Sequence, residues 1–234
     1  MQLARKSWAW STITALCLAC ATAPPAPTPG TGTLFGDLTL VPRDGVHMPA
    51  SSGGAYQDRD MADVELVDYS RPGFAVVWLE GGPLPGQGAR VTIRANEFET
   101  RLEPAWAALA AGGTLAVLNA TPEAHTVSCP SLGVVQRVAP GESLELKVAD
   151  AGGHALFLLD RPQVEGGVFA AAGPFAVLTS TGRFELRDLA PGPTKLHAWH
   201  PRFPPVARSI DVVPDEAMRV DLEMGVGRGQ EGSR

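Results

Sequence analysis

Short apolar segments separated by turn residues recur along the chain from residue 34 onward. Residues 35–41 alternate apolar and polar side chains, as in a half-buried strand, and turn-forming residues follow at 42–45. Residues 73–79 form a continuous apolar run that stops at Gly81 and Gly82, as expected of a central strand. This spacing, with no convincing amphipathic helix, predicts an all-β fold of β-sandwich architecture. Further strands are predicted at 90–94, 114–118, 143–148, 154–159, 176–179, 183–186, 195–199, 208–213 and 219–222.

The composition also suits many short strands better than long helices. The 234 residues include 26 Gly and 21 Pro, both of which favour turns. With 44% hydrophobic residues, the chain has enough apolar side chains for one large core or two small ones. The net charge is -6 and Lys and Arg are not clustered, which argues against nucleic acid as a partner.

The N-terminal residues 1–19 have the order of a secretory signal peptide. Arg5 and Lys6 precede a mostly apolar run over 8–18, and the small residue Ala19 follows. The run is too short to span a bilayer comfortably. We therefore expect these residues to be cleaved on export.

Residues 16–20 (LCLAC) resemble the lipobox of bacterial lipoproteins, in which a small residue precedes the cysteine that is acylated. The resemblance implies lipidation at Cys20. Residues 20–33 are rich in proline and predict a semi-rigid, extended tether behind such an anchor. Two alternatives stay open: an ordinary secretory signal cut near Ala19, and a disulfide between Cys20 and Cys129.

Four stretches resemble a family of bacterial periplasmic proteins described as plastocyanin-like or methylamine-utilisation proteins. These proteins combine a cupredoxin with a carboxypeptidase-regulatory-like (transthyretin/prealbumin-type) sandwich. The resemblance implies two β-sandwiches, one of them a cupredoxin-like Greek-key domain. The stretches are 75–81 (AVVWLEG), 112–128 (GGTLAVLNATPEAHTVS), 154–166 (HALFLLDRPQVEG) and 181–201 (TGRFELRDLAPGPTKLHAWHP).

The order of these stretches suggests that one sandwich is inserted into the other. We expect the carboxypeptidase-regulatory-like sandwich at 34–82 and 174–224, the cupredoxin-like domain at 91–170, and a flexible tail at 225–234. The insertion would be wrong if residues 35–41 paired with cupredoxin strands and not with 208–213. The resemblance also places a strand at 104–111 (PAWAALAA), where alanine content alone would favour a helical turn. We predict a long surface loop at residues 42–63.

A blue copper site needs two imidazoles, a thiolate and a weak axial Met. The resemblance puts His125 at the position of the first ligand. It puts Leu158, Arg161 and Val164 where the family has its Cys, second His and Met. Leu and Val have no donor atoms, and a guanidinium repels Cu²⁺. We therefore expect no copper, and interpret His125 as a remnant of the ligand set.

Other histidines and the remaining cysteine offer weaker candidates. A regular strand would separate His125 from Cys129 by about 13 Å, so a metal shared by them would need a sharp bend in the strand. His154 and Leu158 are also four residues apart, and the same difficulty applies to them. His197 and Trp199 share one strand face and His200 takes the other. The resemblance makes Trp199 a core residue and His200 a structural cap. The functional alternative for Trp199 is a platform for a sugar.

The function favoured by these features is that of a non-catalytic cell-envelope lipoprotein that serves as a binding or scaffolding module. It would be exported and held by its lipid anchor at the periplasmic side of the outer membrane or at the cell surface, with an unknown envelope protein or carbohydrate as partner. The alternatives are copper carriage or electron transfer, and a sugar- or peptide-binding accessory module. The common hydrolase motifs are absent, so no enzymatic activity is expected.

Overall fold

The computed structural model describes residues 27–42, 69, 71–82, 88–96 and 99–225. Apart from one short 3-10 helix, Pro130–Leu132, every regular element in these ranges is a strand, which confirms the all-β prediction. The strands are β1 (Gly32–Val41), β2 (Ala75–Leu79), β3 (Ala89–Ala95), β4 (Thr100–Glu103), β5 (Trp106–Ala110), β6 (Thr114–Asn119), β7 (His125–Cys129), β8 (Val134–Val138), β9 (Ser143–Lys147), β10 (Gly152–Leu158), β11 (Arg161–Ala171), β12 (Phe175–Leu178), β13 (Arg183–Leu189), β14 (Gly192–His200), β15 (Phe203–Val212), β16 (Ala217–Arg219) and β17 (Leu222–Gly225).

One sandwich, called here the first sandwich, is built from both ends of the described chain. Its sheets are β12-β2-β14-β15 and β13-β1-β16, with β17 also paired to β1. Apolar side chains that alternate along these strands meet between the two sheets, where Leu34, Val77, Leu196 and Met224 are fully buried.

Strand β1 pairs with β13, β16 and β17, and with no described strand of β3 to β11. The expected partner segment 208–213 lies mostly in β15, which pairs with β14 instead. The predicted strand at 219–222 is also wrong, because the strand is interrupted at Val220 and Asp221. There the carboxylate of Asp221 accepts the Asp37 N–H at 3.0 Å and so replaces a backbone acceptor.

The second sandwich comprises β3 to β11. Its sheets are β4-β3-β6-β9 and β5-β11-β10-β7-β8, and the chain first passes from one sheet to the other between β4 and β5. Ile93, Leu109, Leu115 and Val168 lie fully buried between the sheets. The β-sandwich architecture predicted from the pattern of short strands is thus confirmed.

The alanine-rich segment 104–111 forms strand β5, as the family resemblance implied and against its helix propensity. It pairs in parallel with β11, so tertiary pairing decides its conformation. Strands β4, β8 and β11 were not predicted. β4 and β8 carry few buried side chains, and Gly166 and Gly167 interrupt the apolar pattern of β11.

An aromatic cluster joins the two sandwiches. Trp199 of β14 packs against Phe169 of β11 and Trp106 of β5, with ring centroids 4.8 and 5.2 Å apart. Trp78 lies 4.8 Å from Phe169, and Phe74 contacts Trp106 at 6.5 Å. We call these five residues the aromatic joint.

Two glycines allow the rings of the aromatic joint to approach the backbone. A Cβ atom at Gly153 would press on the ring of Trp199, and one at Gly167 would press on Trp106 and on the carbonyl oxygen of His154. Packing therefore requires Gly153 on β10 and Gly167, one of the two glycines that break the pattern of β11.

Several predictions concern residues at the limits of the described ranges. The signal peptide 1–19, Cys20 and most of the loop at 42–63 lie outside them. Strand β1 begins at Gly32 and so includes the last two residues of the predicted tether, because Gly32 pairs with Leu189. Gly225, expected in the tail, is the last residue of β17 and pairs with Val41.

Candidate functional site

His125 is the first residue of β7, and its ring lies inside the second sandwich with 1% of its surface exposed. Both ring nitrogens have protein partners. Nδ1 lies 2.7 Å from Oδ2 of Asp160, and Nε2 lies 2.9 Å from Oγ1 of Thr121. The imidazole is therefore fully engaged by hydrogen bonds.

The turn that carries Thr121 is held by the buried amide of Asn119. The Nδ2 group of Asn119 donates to the carbonyl oxygens of Glu123 and Val138, at 2.7 and 3.0 Å. Its Oδ1 atom accepts the N–H of Thr121 at 3.0 Å and lies 2.8 Å from that residue's hydroxyl. A single side chain thus fixes the partner of the His125 Nε2 atom.

Asp160 connects the turn between β10 and β11 to β7. Its Oδ1 atom accepts the N–H of Thr126 at 2.8 Å, while Oδ2 meets the ring of His125. Burial raises the pKa of the Asp160 carboxyl, but the hydrogen bonds from Thr126 and His125 outweigh burial, so the pKa lies below its ordinary value. The carboxylate is ionised at neutral pH and faces the His125 ring as an anion.

Arg161 lies beside this carboxylate. Its guanidinium donates to the Asp160 carbonyl at 3.0 Å and to a carboxylate oxygen of Glu123 at 2.8 Å. The side chain is 37% exposed and lines a polar depression of about 350 Å³ together with Thr100, Thr121 and Gln163. The position that the resemblance aligns with a histidine ligand thus holds a cation bound to carboxylates.

The other two aligned positions are apolar and buried. Leu158 pairs with Val127 and with Arg161, and its side chain is 1% exposed. Val164 is 6% exposed and belongs to the core of the second sandwich. These side chains fill space in the core and offer no atom to a metal.

Copper does not fit this set of residues. Both ring nitrogens of His125 have protein partners, and among the described residues no buried side-chain nitrogen or oxygen lacks a hydrogen-bond partner. In the same part of the chain, no three side chains of His, Cys, Asp or Glu come together in a way that could hold a metal. His125 would have to give up Thr121 or Asp160 to bind one.

A second polar cluster lies at the other end of β7, and sequence reasoning did not assemble it. Ser131, on the 3-10 helix, places its Oγ 2.9 Å from Nδ1 of His154 and 3.6 Å from Sγ of Cys129. Nε2 of His154 donates to the carbonyl oxygen of Asp150 at 2.9 Å. Cys129 and His154 thus come together, whereas His125 and Cys129 stay at opposite ends of β7.

The histidines of β14 have separate surroundings. His197 stacks on Trp78 with ring centroids 4.9 Å apart. His200 donates from Nε2 to the Pro72 carbonyl at 3.0 Å and accepts the Arg202 N–H at Nδ1, also at 3.0 Å. Burial lowers the pKa of His200, although the bond to Pro72 acts in the opposite direction. Trp199 belongs to the aromatic joint.

Comparison with known proteins gave matches to solved structures alone. No protein-family model and no curated protein matches the chain. The purple cupredoxin of Nitrosopumilus maritimus is 16% identical over 36% of this chain and 99% of its own, with a TM-score of 0.32. Amicyanin of Paracoccus versutus is 17% identical over 38% and 85%, with a TM-score of 0.32. Native pseudoazurin of Hyphomicrobium denitrificans is 13% identical over 36% and 76%, with a TM-score of 0.31.

No property of these proteins is transferred to this chain on such similarity. In the described ranges, no helix is long and apolar enough to cross a bilayer. The partners of His125 were missed because Thr121 and Asp160 gain their role only through strand pairing. Within the stretch 112–128, the resemblance implies an asparagine turn before His125, and this was the one signal that pointed to Asn119.

Proposed function

We propose that this protein is a non-catalytic binding or scaffolding module of the cell envelope, built on a cupredoxin-like sandwich that no longer holds copper at the blue-copper position around His125. The observation that carries the proposal is the closed hydrogen-bond network around His125. Thr121 and Asp160 occupy its two ring nitrogens, so protein groups stabilise the loop that a metal would otherwise organise.

The residues around this network support the same interpretation. Leu158 and Val164 are packed in the core, and Arg161 adds a permanent positive charge held by Glu123. A scaffold that had decayed would leave unpaired polar groups where a ligand was lost. Here the polar groups are paired, which favours a retained and stable fold with a different use.

The location and the second module are part of the proposal. An export signal, acylation at Cys20 and a proline-rich tether would hold the protein at the periplasmic side of the outer membrane or at the cell surface. The segment 181–201 supports a carboxypeptidase-regulatory-like identity for the first sandwich. Modules of this kind act as rigid supports for loops, which agrees with an unknown envelope protein or carbohydrate as the partner.

The packing of Trp199 weighs against its use as an aromatic platform for a sugar. The ring contacts Phe74, Trp106 and Phe169 within the aromatic joint, so it already contributes to the connection between the sandwiches. A carbohydrate or peptide partner would therefore be bound by other surfaces of the protein.

Copper titration tests directly whether the blue-copper position around His125 binds copper. The full chain, purified in detergent, would be titrated with Cu(II) while visible absorption and electron paramagnetic resonance are recorded. We expect no intense thiolate-to-copper band and no tightly held equivalent that depends on His125. A tight equivalent present in the wild type and abolished by His125→Ala would overturn the proposal.

The lipid anchor is tested separately in cells fed a fatty-acid probe. Wild type should incorporate the label and Cys20→Ser should not, whereas Cys17→Ser should be labelled like the wild type. Unchanged labelling of Cys20→Ser would exclude Cys20 as the acylated residue.

A further inference from the structure

The Cys129, Ser131 and His154 cluster is chemically distinct from the network around His125. It lies at the far end of β7, about 13 Å along the strand. Cys129 is fully buried and His154 is 6% exposed. The cluster brings a sulfur and an imidazole nitrogen to the same hydroxyl oxygen, that of Ser131.

The hydrogen bonds define which nitrogen of His154 is available. A backbone carbonyl only accepts, so Nε2 carries the proton that bonds to Asp150. In the neutral ring Nδ1 then holds the lone pair, which accepts the Ser131 hydroxyl proton at 2.9 Å. A histidine that ligates a metal almost always donates its other N–H to a carbonyl, a carboxylate or water. His154 already has that outer partner.

The two candidate donors suit a soft ion. Thiolate ligands select soft metals such as Cu(I), and imidazole also suits copper. Two donors fall short of the three or four that a tetrahedral zinc site requires. They satisfy a monovalent ion with low coordination number. No carboxylate competes within the cluster, since Asp150 contributes its backbone oxygen.

We propose that Cys129 Sγ and His154 Nδ1 form a two-coordinate site for a soft monovalent d10 cation, Cu(I). The Ser131 hydroxyl is the hydrogen-bond partner of both donor atoms in the metal-free protein, so it moves aside as the ion enters. The Cys129 thiol loses its proton to solvent, the sulfur–metal and nitrogen–metal bonds form, and the oxidation state of the ion does not change. Asp150 keeps the ring oriented throughout.

The position of Ser131 gives the ion a route to these buried donors. Ser131 is an exposed residue of the three-residue 3-10 helix Pro130–Leu132. Its side chain therefore separates solvent from Sγ and Nδ1, and a local displacement of this short turn uncovers both. The site does not involve His125, Leu158, Arg161 or Val164, and it does not rest on the proposed function.

The test uses the full chain with Cys17→Ser and Cys20→Ser, so that Cys129 is the single thiol. Cu(I) is titrated without oxygen in competition with a chromophoric Cu(I) chelator. We expect one tightly held equivalent, an ultraviolet thiolate-to-copper band, and release of one proton per ion. X-ray absorption should show one sulfur and one nitrogen neighbour.

Four variants separate this site from its alternatives. Cys129→Ser should abolish binding, and His154→Gln should weaken it beyond the roughly 10–100-fold that loss of an outer partner costs. Ser131→Ala should bind at least as tightly as the parent, because the competing hydroxyl is gone. His125→Ala should bind like the parent, which keeps this test independent of the Cu(II) titration.

Several results would overturn the proposal. Unchanged affinity in His154→Gln would show binding by the thiol alone. Loss of binding in His125→Ala, with retention in His154→Gln, would move the ion to the other end of the strand. If Cys129→Ser fails to fold, X-ray absorption on the parent protein tests the site instead. A spectrum without a nitrogen neighbour would exclude His154 as a ligand of the ion.

Discussion

The carboxylate of Asp160 holds β7 by two groups at once: Oδ2 lies 2.7 Å from Nδ1 of His125, and Oδ1 accepts the next residue's N–H at 2.8 Å. The turn between β10 and β11 is thereby attached to both the ring and the backbone of the neighbouring strand. Because Asp160 is ionised and the ring is buried, this pair contributes to the stability of the whole end of the sandwich.

Asp160→Asn should therefore lower the free energy of unfolding at pH 7. An amide loses the charge that faces the His125 ring and retains one acceptor oxygen, so we expect a loss of about 1–3 kcal/mol. Urea denaturation followed by tryptophan fluorescence measures it. Glu165→Gln, an exposed carboxylate on β11, is the matched control and should unfold like the wild type.

The pairing of Asp160 with His125 should also make the free energy of unfolding depend on pH. The folded pKa of Asp160 lies below the ordinary value of 3.8, so its stabilising contribution is present above that value and is lost as pH falls through the lowered pKa. The difference in unfolding free energy between wild type and Asp160→Asn should shrink below about pH 4. A constant difference from pH 7 to pH 2.5 would contradict the assignment.

Asn119→Ala should cost more stability than most polar substitutions. The Asn119 amide makes hydrogen bonds to Glu123, Val138 and Thr121, and it is fully buried. Its removal takes the side-chain partner away from the Val138 carbonyl and the Thr121 N–H in the interior, for an expected loss of about 2–4 kcal/mol. Thermal unfolding of this variant beside Glu145→Gln, which changes only an exposed carboxylate on β9, measures the effect.

The strand pattern of this protein was predictable where burial alternates clearly along the chain. β1 and β6 show this alternation, and both were found from sequence. β8 buries little of its surface, and Gly166 and Gly167 remove the side chains that would have marked β11. A side chain at Gly167 would collide with Trp106 and the His154 carbonyl, and one at Gly166 would collide with the Ala105 carbonyl. No local sequence pattern contains these contacts.

The candidate site was predictable only in part for a similar reason. The sequence resemblance identified His125 and the three replaced positions, because these depend on spacing. The partners Thr121 and Asp160 are ordinary turn residues until strand pairing places them beside the ring. Likewise, Cys129 and His154 are 25 positions apart and meet only because β7 and β10 are neighbours.

Trp199→Ala should weaken the connection between the two sandwiches. The ring contacts Phe169 and Trp106 across the aromatic joint, and truncating such a side chain costs about 3–5 kcal/mol when it is fully buried. Trp199 is partly exposed, so we expect a smaller loss. We also expect the wild type to unfold in one calorimetric transition and the variant in two. Val177→Ala, on the same sheet and 42% exposed, is the control. A single transition in Trp199→Ala would show that other contacts couple the sandwiches.

We predict that His200 lowers the free energy of unfolding in weak acid. Burial keeps its folded pKa below the ordinary 6.5, and the neutral ring donates to Pro72 from Nε2 while accepting the Arg202 N–H at Nδ1. Below pH 6.5 the unfolded chain takes up a proton that the folded ring does not, so stability falls as pH falls until the folded pKa is reached. His200→Gln removes this titration. Its unfolding free energy should therefore fall less steeply than that of the wild type between pH 7 and pH 5, and the two curves should run parallel above pH 7. Equal slopes below pH 6.5 would show that the folded ring is protonated as readily as the unfolded one.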